Sequence, residues 1–242
     1  MKQPIVILHG WGANMSSATY LAVKKELERK EYDVFVPDLP GFGTNTILKE
    51  TLTFDDYVAF AKHYIEKIGK GKPVVLIGHS FGGRIAIRLV ANHPDLVSKL
   101  ILVAASGIPR PLPSIRKKIV FVVTKIVRPV FMIPPLSFFY RAFRKAVYYS
   151  IGEMDYYKAG KLSETFKNVY QVSIVADLPR IVVPTLLVWG ERDTFVPVAD
   201  GILMEQKIPD ATLAIIKGAG HRLPYEDTAE FVKTILPFIQ SN

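Results

Sequence analysis

The chain has 242 residues, 49% of them hydrophobic, a net charge of +9 and no cysteine. It is long for one ordinary domain and short for two, and its apolar share is large enough for a sizeable core, which excludes a globally disordered chain. Without cysteine there are no disulfides and no thiolate metal sites, although that fits any redox compartment.

Met1-Lys2-Gln3-Pro4 runs directly into the apolar stretch Ile5-Val6-Ile7-Leu8 with no secretory signal, so a cytoplasmic location is expected. Further strand-like runs fall at 33–36, 74–77, 100–104, 185–189 and 212–216. Helical patterns lie between them at 17–30, 54–68, 81–93, 198–207 and 228–239. The strands are rich in Val, Ile and Leu and continuous rather than alternating, as expected when helices cover both faces. This alternation predicts an α/β fold with a doubly wound, mostly parallel sheet of about six strands.

The rhythm breaks after the fourth strand. Ile108-Pro109-Arg110-Pro111-Leu112-Pro113 suits neither a helix interior nor a central strand. Between 107 and 178 there are 12 Lys or Arg against four acids, so this segment holds +8 of the net +9. A helical cap over 107–178 is therefore expected, inserted into a core made of 1–106 and 179–242. Its most apolar part, 119–140, is interrupted by Lys125, Arg128, Pro129, Pro134 and Pro135, which points to a buried or interfacial segment rather than a spanning helix. Phe138, Phe139 and Phe143 share one helical face, with Arg141, Arg144 and Lys145 on the other. The aromatic face is expected inward, against substrate. The basic face suits anionic substrates or peripheral contact with an anionic membrane.

The chemistry centres on Gly78-His79-Ser80-Phe81-Gly82-Gly83. A strand, a G-x-S-x-G turn and a helix make the context of a nucleophile elbow, with the helix N-terminus aimed at developing negative charge. A serine hydroxyl needs a base held in the right tautomer by an acid. His9 and His79 lie in glycine turns and read as structural. His63 and His93 read as surface or capping residues. His221 follows Lys217-Gly218-Ala219-Gly220 after the last strand, at a carboxyl end where ligands gather in open sheets. After the preceding strand, Gly190-Glu191-Arg192-Asp193 supplies two carboxylates, Asp193 as the acid and Glu191 as its rival. The order Ser80, Asp193, His221 is the order of the α/β-hydrolases.

The chain resembles that superfamily over nearly its whole length. The matching pieces are Leu8-His9-Gly10-Trp11-Gly12, Pro37-Asp38-Leu39-Pro40-Gly41-Phe42-Gly43, the Ser80 elbow, 184–193 and Gly218-Ala219-Gly220-His221. The resemblance implies a catalytic triad of Ser80, Asp193 and His221 and an oxyanion hole from the Trp11 and Phe81 amides. It also implies a cap at 107–178. The usual opening antiparallel strand pair is absent here, which makes 33–36 an edge strand, as Pro37 and Asp38 suit. Asp38 reads as structural. Arg84 has two readings, a contact to a substrate carboxylate or a structural arginine.

Serine at 80 argues against the superfamily's epoxide hydrolases and haloalkane dehalogenases, whose similar elbows carry aspartate. No metal or cofactor motif and no nucleic-acid partner are expected. The first reading is a carboxylesterase-like hydrolase of small esters or thioesters with an apolar acyl or aromatic group. The alternatives are a C–C bond hydrolase, a lyase or acyltransferase on the same triad, and a non-catalytic ligand receptor or membrane-surface binder. Monomer and homodimer both remain open.

Overall fold

The six apolar runs hydrogen-bond into one sheet. The strands are β1 (Ile5–Leu8), β2 (Val34–Phe35), β3 (Val74–His79), β4 (Val97–Val103), β5 (Thr185–Gly190) and β6 (Ala211–Ile216). In this computed structural model the residues described are 2–12, 15–45, 51–109, 129, 136–140, 143, 145 and 162–241. The strand order is β2-β1-β3-β4-β5-β6 and every pairing is parallel. Order reverses at β1, because the chain first steps outward to β2 and then returns to β3. The short strand β2 is an edge, as the proline after it requires.

Seven helices are described: α1 (Leu21–Glu28), α2 (Phe54–Gly69), α3 (Phe81–Asn92), α4 (Ser163–Tyr170), α5 (Val198–Lys207), α6 (Leu223–Glu226) and α7 (Thr228–Gln240). On one face of the sheet Ile5, Ile7, Val75, Ile77, Ile101 and Val103 pack with Val23 and Leu27 of α1 and with Phe231 and Ile235 of α7. The intervening residues Val6, Leu8, Leu76, Leu100 and Leu102 are buried as well, which is why these strands read as continuous apolar runs. Helix α2 starts on a capping box, in which the Thr53 hydroxyl accepts from the Asp56 amide and the Asp56 carboxylate accepts from the Thr53 amide at 2.7 Å. Lys99 on β4 donates to the Phe238 and Ile239 carbonyls at 2.8 and 3.1 Å, placing a cation at the C-terminus of α7.

The chain divides into two compact units, 1–108 with 168–242, and 109–167. Residues 168–178, which the shift in composition assigns to the insertion, group with the sheet unit. The Ile174 amide donates to the Gly107 carbonyl at 3.2 Å, and Arg88 of α3 donates to the buried Asp177 at 2.6 Å. In the second unit, a 3-10 turn at Leu136–Phe139 leaves Phe138 83% and Phe139 56% exposed. The inward aromatic face expected there is not formed at these two residues. A 3-10 turn has three residues per turn, which rotates them off the 3.6-residue face that sequence spacing assigned. Phe143 is half-buried. Most of 110–161 lies outside the described residues, and with it most of the proposed cap. Among the described residues no helix is long and apolar enough to cross a membrane.

Candidate active site

Ser80 closes β3 at φ 53° and ψ −110°, conformational space that a non-glycine residue occupies only when its surroundings impose it. The bend is held from both sides. The Ser80 amide donates to the Val103 carbonyl at 2.9 Å, and the Ser80 carbonyl accepts from the Ser106 amide at 3.0 Å. Glycine is required around it for close approach. A Cβ on Gly78 would lie 2.7 Å from the Gly83 Cα, and one on Gly82 would overlap the Leu8 carbonyl. The elbow therefore packs directly on the end of β1, which brings the His9-Gly10-Trp11 loop alongside the serine. The Phe81 amide heads α3, among the N–H groups that have no acceptor within a helix.

His221 and Asp193 come from the loops after β6 and β5. The Asp193 side chain is fully buried and its Oδ2 lies 2.8 Å from His221 Nδ1. Its other oxygen accepts from the Phe195 and Val196 amides, both at 2.8 Å. A carboxylate bound by two backbone amides is an acceptor, so Nδ1 of His221 donates to it, and in the neutral ring Nε2 is the nitrogen with the lone pair. Glu191, the rival acid, instead accepts from the Gly218 amide at 2.8 Å. It braces the turn that leads to His221 and does not touch the ring. Further backbone bonds join the two loops, from Glu191 to Ile216 at 3.0 Å and from Arg192 to Ala219 at 2.8 Å. Among the described residues no hydrogen bond joins the Ser80 hydroxyl to the His221 ring.

The glycine-turn histidines are structural in distinct ways. His9 Nε2 accepts from the Leu39 amide at 3.0 Å, so its Nδ1 carries the proton and donates to the Gly10 carbonyl at 2.8 Å. Its burial lowers the ring's proton affinity. The bond pins the loop bearing Trp11 to the 37–43 loop. Asp38 stiffens that second loop by accepting from the Thr44 amide and hydroxyl at 2.8 and 2.7 Å. Burial alone would raise the Asp38 pKa, but its hydrogen bonds with Ser17 and Thr44 outweigh this and hold it at about 2.

His79 is 1% exposed, with Nε2 2.9 Å from the His221 carbonyl and Nδ1 2.6 Å from the Tyr20 hydroxyl. A carbonyl only accepts, so Nε2 donates to it, and the Tyr20 hydroxyl must donate to Nδ1. Burial first, and then the neighbouring His221, lower the His79 pKa to about 3. Below its ordinary value of 6.5 the unfolded chain binds a proton that the folded chain refuses until about 3. The stability this group contributes is therefore complete above 6.5 and declines as pH falls through that window. The decline reaches about tenfold in the folding equilibrium per pH unit. Urea unfolding between pH 6 and 4 is expected to show a slope shallower by about one proton in His79→Gln than in the wild type; parallel slopes would contradict the neutral, buried ring.

Aromatic rings wall the elbow. Trp11 lies 4.9 Å from Phe42 and 5.2 Å from Phe81 between ring centroids, and Tyr57 lies 5.1 Å from Phe81, all edge to face. Phe195 lies 5.3 Å from the His221 ring. Arg84 is 6% exposed and donates through Nη1 to the Val169 carbonyl at 2.6 Å, while its buried Nε has no partner among the described residues. That places it at the end of α4 as a helix-terminal cation. Tyr20 is the site residue that sequence reasoning missed. It belongs to no motif, and nothing in a tyrosine at a helix start marks it as a neighbour of residue 79. Among the described residues no group of three or more His, Asp or Glu side chains is arranged to hold a metal ion.

A family model described as alpha/beta hydrolase fold matches residues 3–228. A 2-hydroxy-6-oxononadienedioate/2-hydroxy-6-oxononatrienedioate hydrolase from a Pseudomonas species is 22% identical, over 97% of this chain and 87% of its own length. The human monoacylglycerol lipase ABHD6 is 25% identical, over 99% of this chain and 76% of its own. Among solved structures, the esterase EaEST from Exiguobacterium antarcticum superposes with a TM-score of 0.74 at 22% identity. That match spans 99% of this chain and 92% of the other, and it is a likeness of fold.

Proposed function

The chain belongs to the alpha/beta hydrolase family, and from that premise we propose that it is a serine hydrolase cleaving carboxylic esters or thioesters through an acyl-enzyme. The observation that carries the reading is the 2.8 Å pair of Asp193 and His221, which assigns the proton of the neutral ring to Nδ1 and so leaves Nε2 as its acceptor, on a loop tied by His79 to the strained serine turn. In this reading His221 takes the Ser80 proton as the hydroxyl oxygen attacks the ester carbonyl. The Phe81 and Trp11 amides hold the oxyanion, and His221 then returns the proton to the departing alcohol. Water repeats the sequence to release the acid. The bond between the Ser80 hydroxyl and the base forms in this reading when substrate binds, as catalytic hydrogen bonds tighten in the substrate complex.

Phe42, Tyr57 and Phe81 are buried beside the elbow and Trp11 packs on them part-exposed, apolar surroundings that favour an apolar acyl group over a charged one. A dicarboxylic substrate, as named for the Pseudomonas relative, calls for a cation near the nucleophile. Arg84 is engaged with a main-chain carbonyl, which weakens that alternative. Incubation with p-nitrophenyl esters of increasing chain length and with a fluorophosphonate probe tests the reading. Turnover is expected with acyl groups of several carbons, together with a phosphonate adduct on Ser80. The absence of both overturns it, and faster cleavage of a 2-hydroxy-6-oxo-dienoate than of any ester moves the assignment to C–C hydrolysis.

A second reading concerns where the enzyme works. The segment 109–167 has 12 Lys or Arg and three acids, so its +9 equals the charge of the whole chain. Phe138 and Phe139 are exposed within it, with ring centroids 5.5 Å apart. Exposed aromatics in a strongly basic segment favour docking on an anionic bilayer, where each cation near the surface contributes about 1 kcal/mol. Co-sedimentation with phosphatidylglycerol-containing vesicles is expected at low salt and not at high salt. It should weaken several-fold when both phenylalanines become serine. Equal binding to neutral phosphatidylcholine vesicles, or none to anionic ones, removes this reading.

A further inference from the structure

The catalytic reading uses Ser80, Asp193 and His221 and leaves unexplained a buried hydrogen-bond chain that runs past all three. It starts at Tyr20, in the 3-10 turn Ser17–Tyr20 before α1, passes through the His79 ring and ends on the backbone of His221. Resting on the serine-hydrolase reading, we propose that Tyr20 and His79 are positioning residues that set the distance between nucleophile and base.

His79 is joined to Ser80 by one peptide bond. Its ring therefore moves with the strained turn, and the Nε2–H bond of 2.9 Å to the His221 carbonyl ties that turn to the backbone of the base. Asp193 holds the other side of His221, at ring Nδ1. Between them the two contacts fix both where the imidazole is attached and how it is rotated, leaving Nε2 as its open end.

Tyr20 makes this strut directional. If the His79 proton moved to Nδ1, the Nε2 lone pair would face the lone pairs of the His221 carbonyl. The Tyr20 hydroxyl, donating at 2.6 Å, occupies Nδ1 and keeps the proton on Nε2. Tyr225, on α6 just beyond His221, closes the group. Its ring centroid lies 5.7 Å from Tyr20 and 6.0 Å from His79. Four rings from three separate parts of the chain thus enclose one proton whose location decides whether the two loops attract or repel.

The substitutions Tyr20→Phe, His79→Gln and His79→Leu test this. Tyr20→Phe removes a single oxygen, which leaves Nδ1 without a donor and ends the hydroxyl's backbone bond with Gly10. His79→Leu removes the ring N–H, whereas the Gln amide at the end of its longer chain reaches the His221 carbonyl. For Tyr20→Phe and His79→Leu, kcat and the rate of fluorophosphonate labelling are expected to fall roughly 10- to 100-fold with KM unchanged, the cost of an ångström-scale misplacement. His79→Gln is expected to recover most of that loss. Wild-type rates in Tyr20→Phe overturn the proposal, as does a His79→Gln enzyme no better than His79→Leu, since packing alone would then account for the ring. Should His79→Leu fail to fold, Tyr20→Phe against wild type decides alone.

The two readings fail separately. A wild-type enzyme that the fluorophosphonate does not label refutes the serine mechanism. The strut is then still judged by the ring nitrogen resonances of His221, which are expected to shift in Tyr20→Phe. Unchanged resonances overturn it whatever the activity.

Discussion

Asp193→Asn is expected to lower kcat on a short-chain p-nitrophenyl ester about 10⁴-fold while KM stays near its wild-type value. The size of the effect follows from the backbone around the carboxylate. Oδ1 accepts from the Phe195 and Val196 amides, both at 2.8 Å. An asparagine must turn its carbonyl oxygen towards those two donors, because its NH2 group would be repelled by them. The NH2 group then faces His221, and Nδ1 becomes the acceptor. The ring proton shifts to Nε2, and a protonated Nε2 takes nothing from Ser80. Substrate still binds, since the aromatic wall is untouched, so the loss falls on kcat. Steady-state kinetics check this, with circular dichroism to establish that the variant is folded. The paired substitution Glu191→Gln is expected to change kcat less than about threefold, because Glu191 braces the Gly218 amide from the surface. A loss of less than tenfold in Asp193→Asn would mean that another group orients the base.

Ser80→Ala is expected to abolish ester turnover, a drop on the order of 10⁶ in kcat, with the fluorophosphonate adduct lost. Structure adds a second expectation that a surface serine would not meet. Ser80 stands at φ 53° and ψ −110°, and strain of this kind costs on the order of 1–3 kcal/mol. Alanine keeps the Cβ and so keeps the strain, whereas glycine removes it. Ser80→Gly is therefore expected to be as inactive as Ser80→Ala yet more stable than it by roughly 1 kcal/mol, measured by urea unfolding at neutral pH. Glycine at 80 no more stable than alanine would show that the bend is relaxed and the serine is not held out under tension. Residual turnover at wild-type rates in either variant would assign the chemistry elsewhere.

Much of this architecture was legible before any coordinates. The runs at 5–8, 74–77, 100–104 and 185–189 are apolar on both faces, as strands covered on both sides are, and β1, β3, β4 and β5 appear where expected; the 212–216 run also forms a strand, β6, but as the part-exposed edge of the sheet. Pro37 after the 33–36 run correctly marked an edge, since proline cannot extend a ladder. The short helix α6 was not anticipated, because four residues beginning Leu223-Pro224 are too few to show a period. Phe138 and Phe139, which the 3.6-residue period places on one helical face, stand in a 3-10 turn and are both exposed, a local winding that side-chain spacing does not reveal.

By itself the sequence determined the parallel sheet, the elbow at Ser80 and the placing of Asp193 and His221 on consecutive loops. All of these follow from local period, glycine spacing and chain order. Only tertiary structure decided that Asp193 rather than Glu191 meets the imidazole, that Arg84 serves a helix end, and that Tyr20 bonds to His79 and His79 to the His221 backbone. The ring contacts join residues 28, 59 and 142 positions apart. Which nitrogen of a buried histidine carries its proton is set by partners of that kind, brought together only when the sheet places their loops at one end.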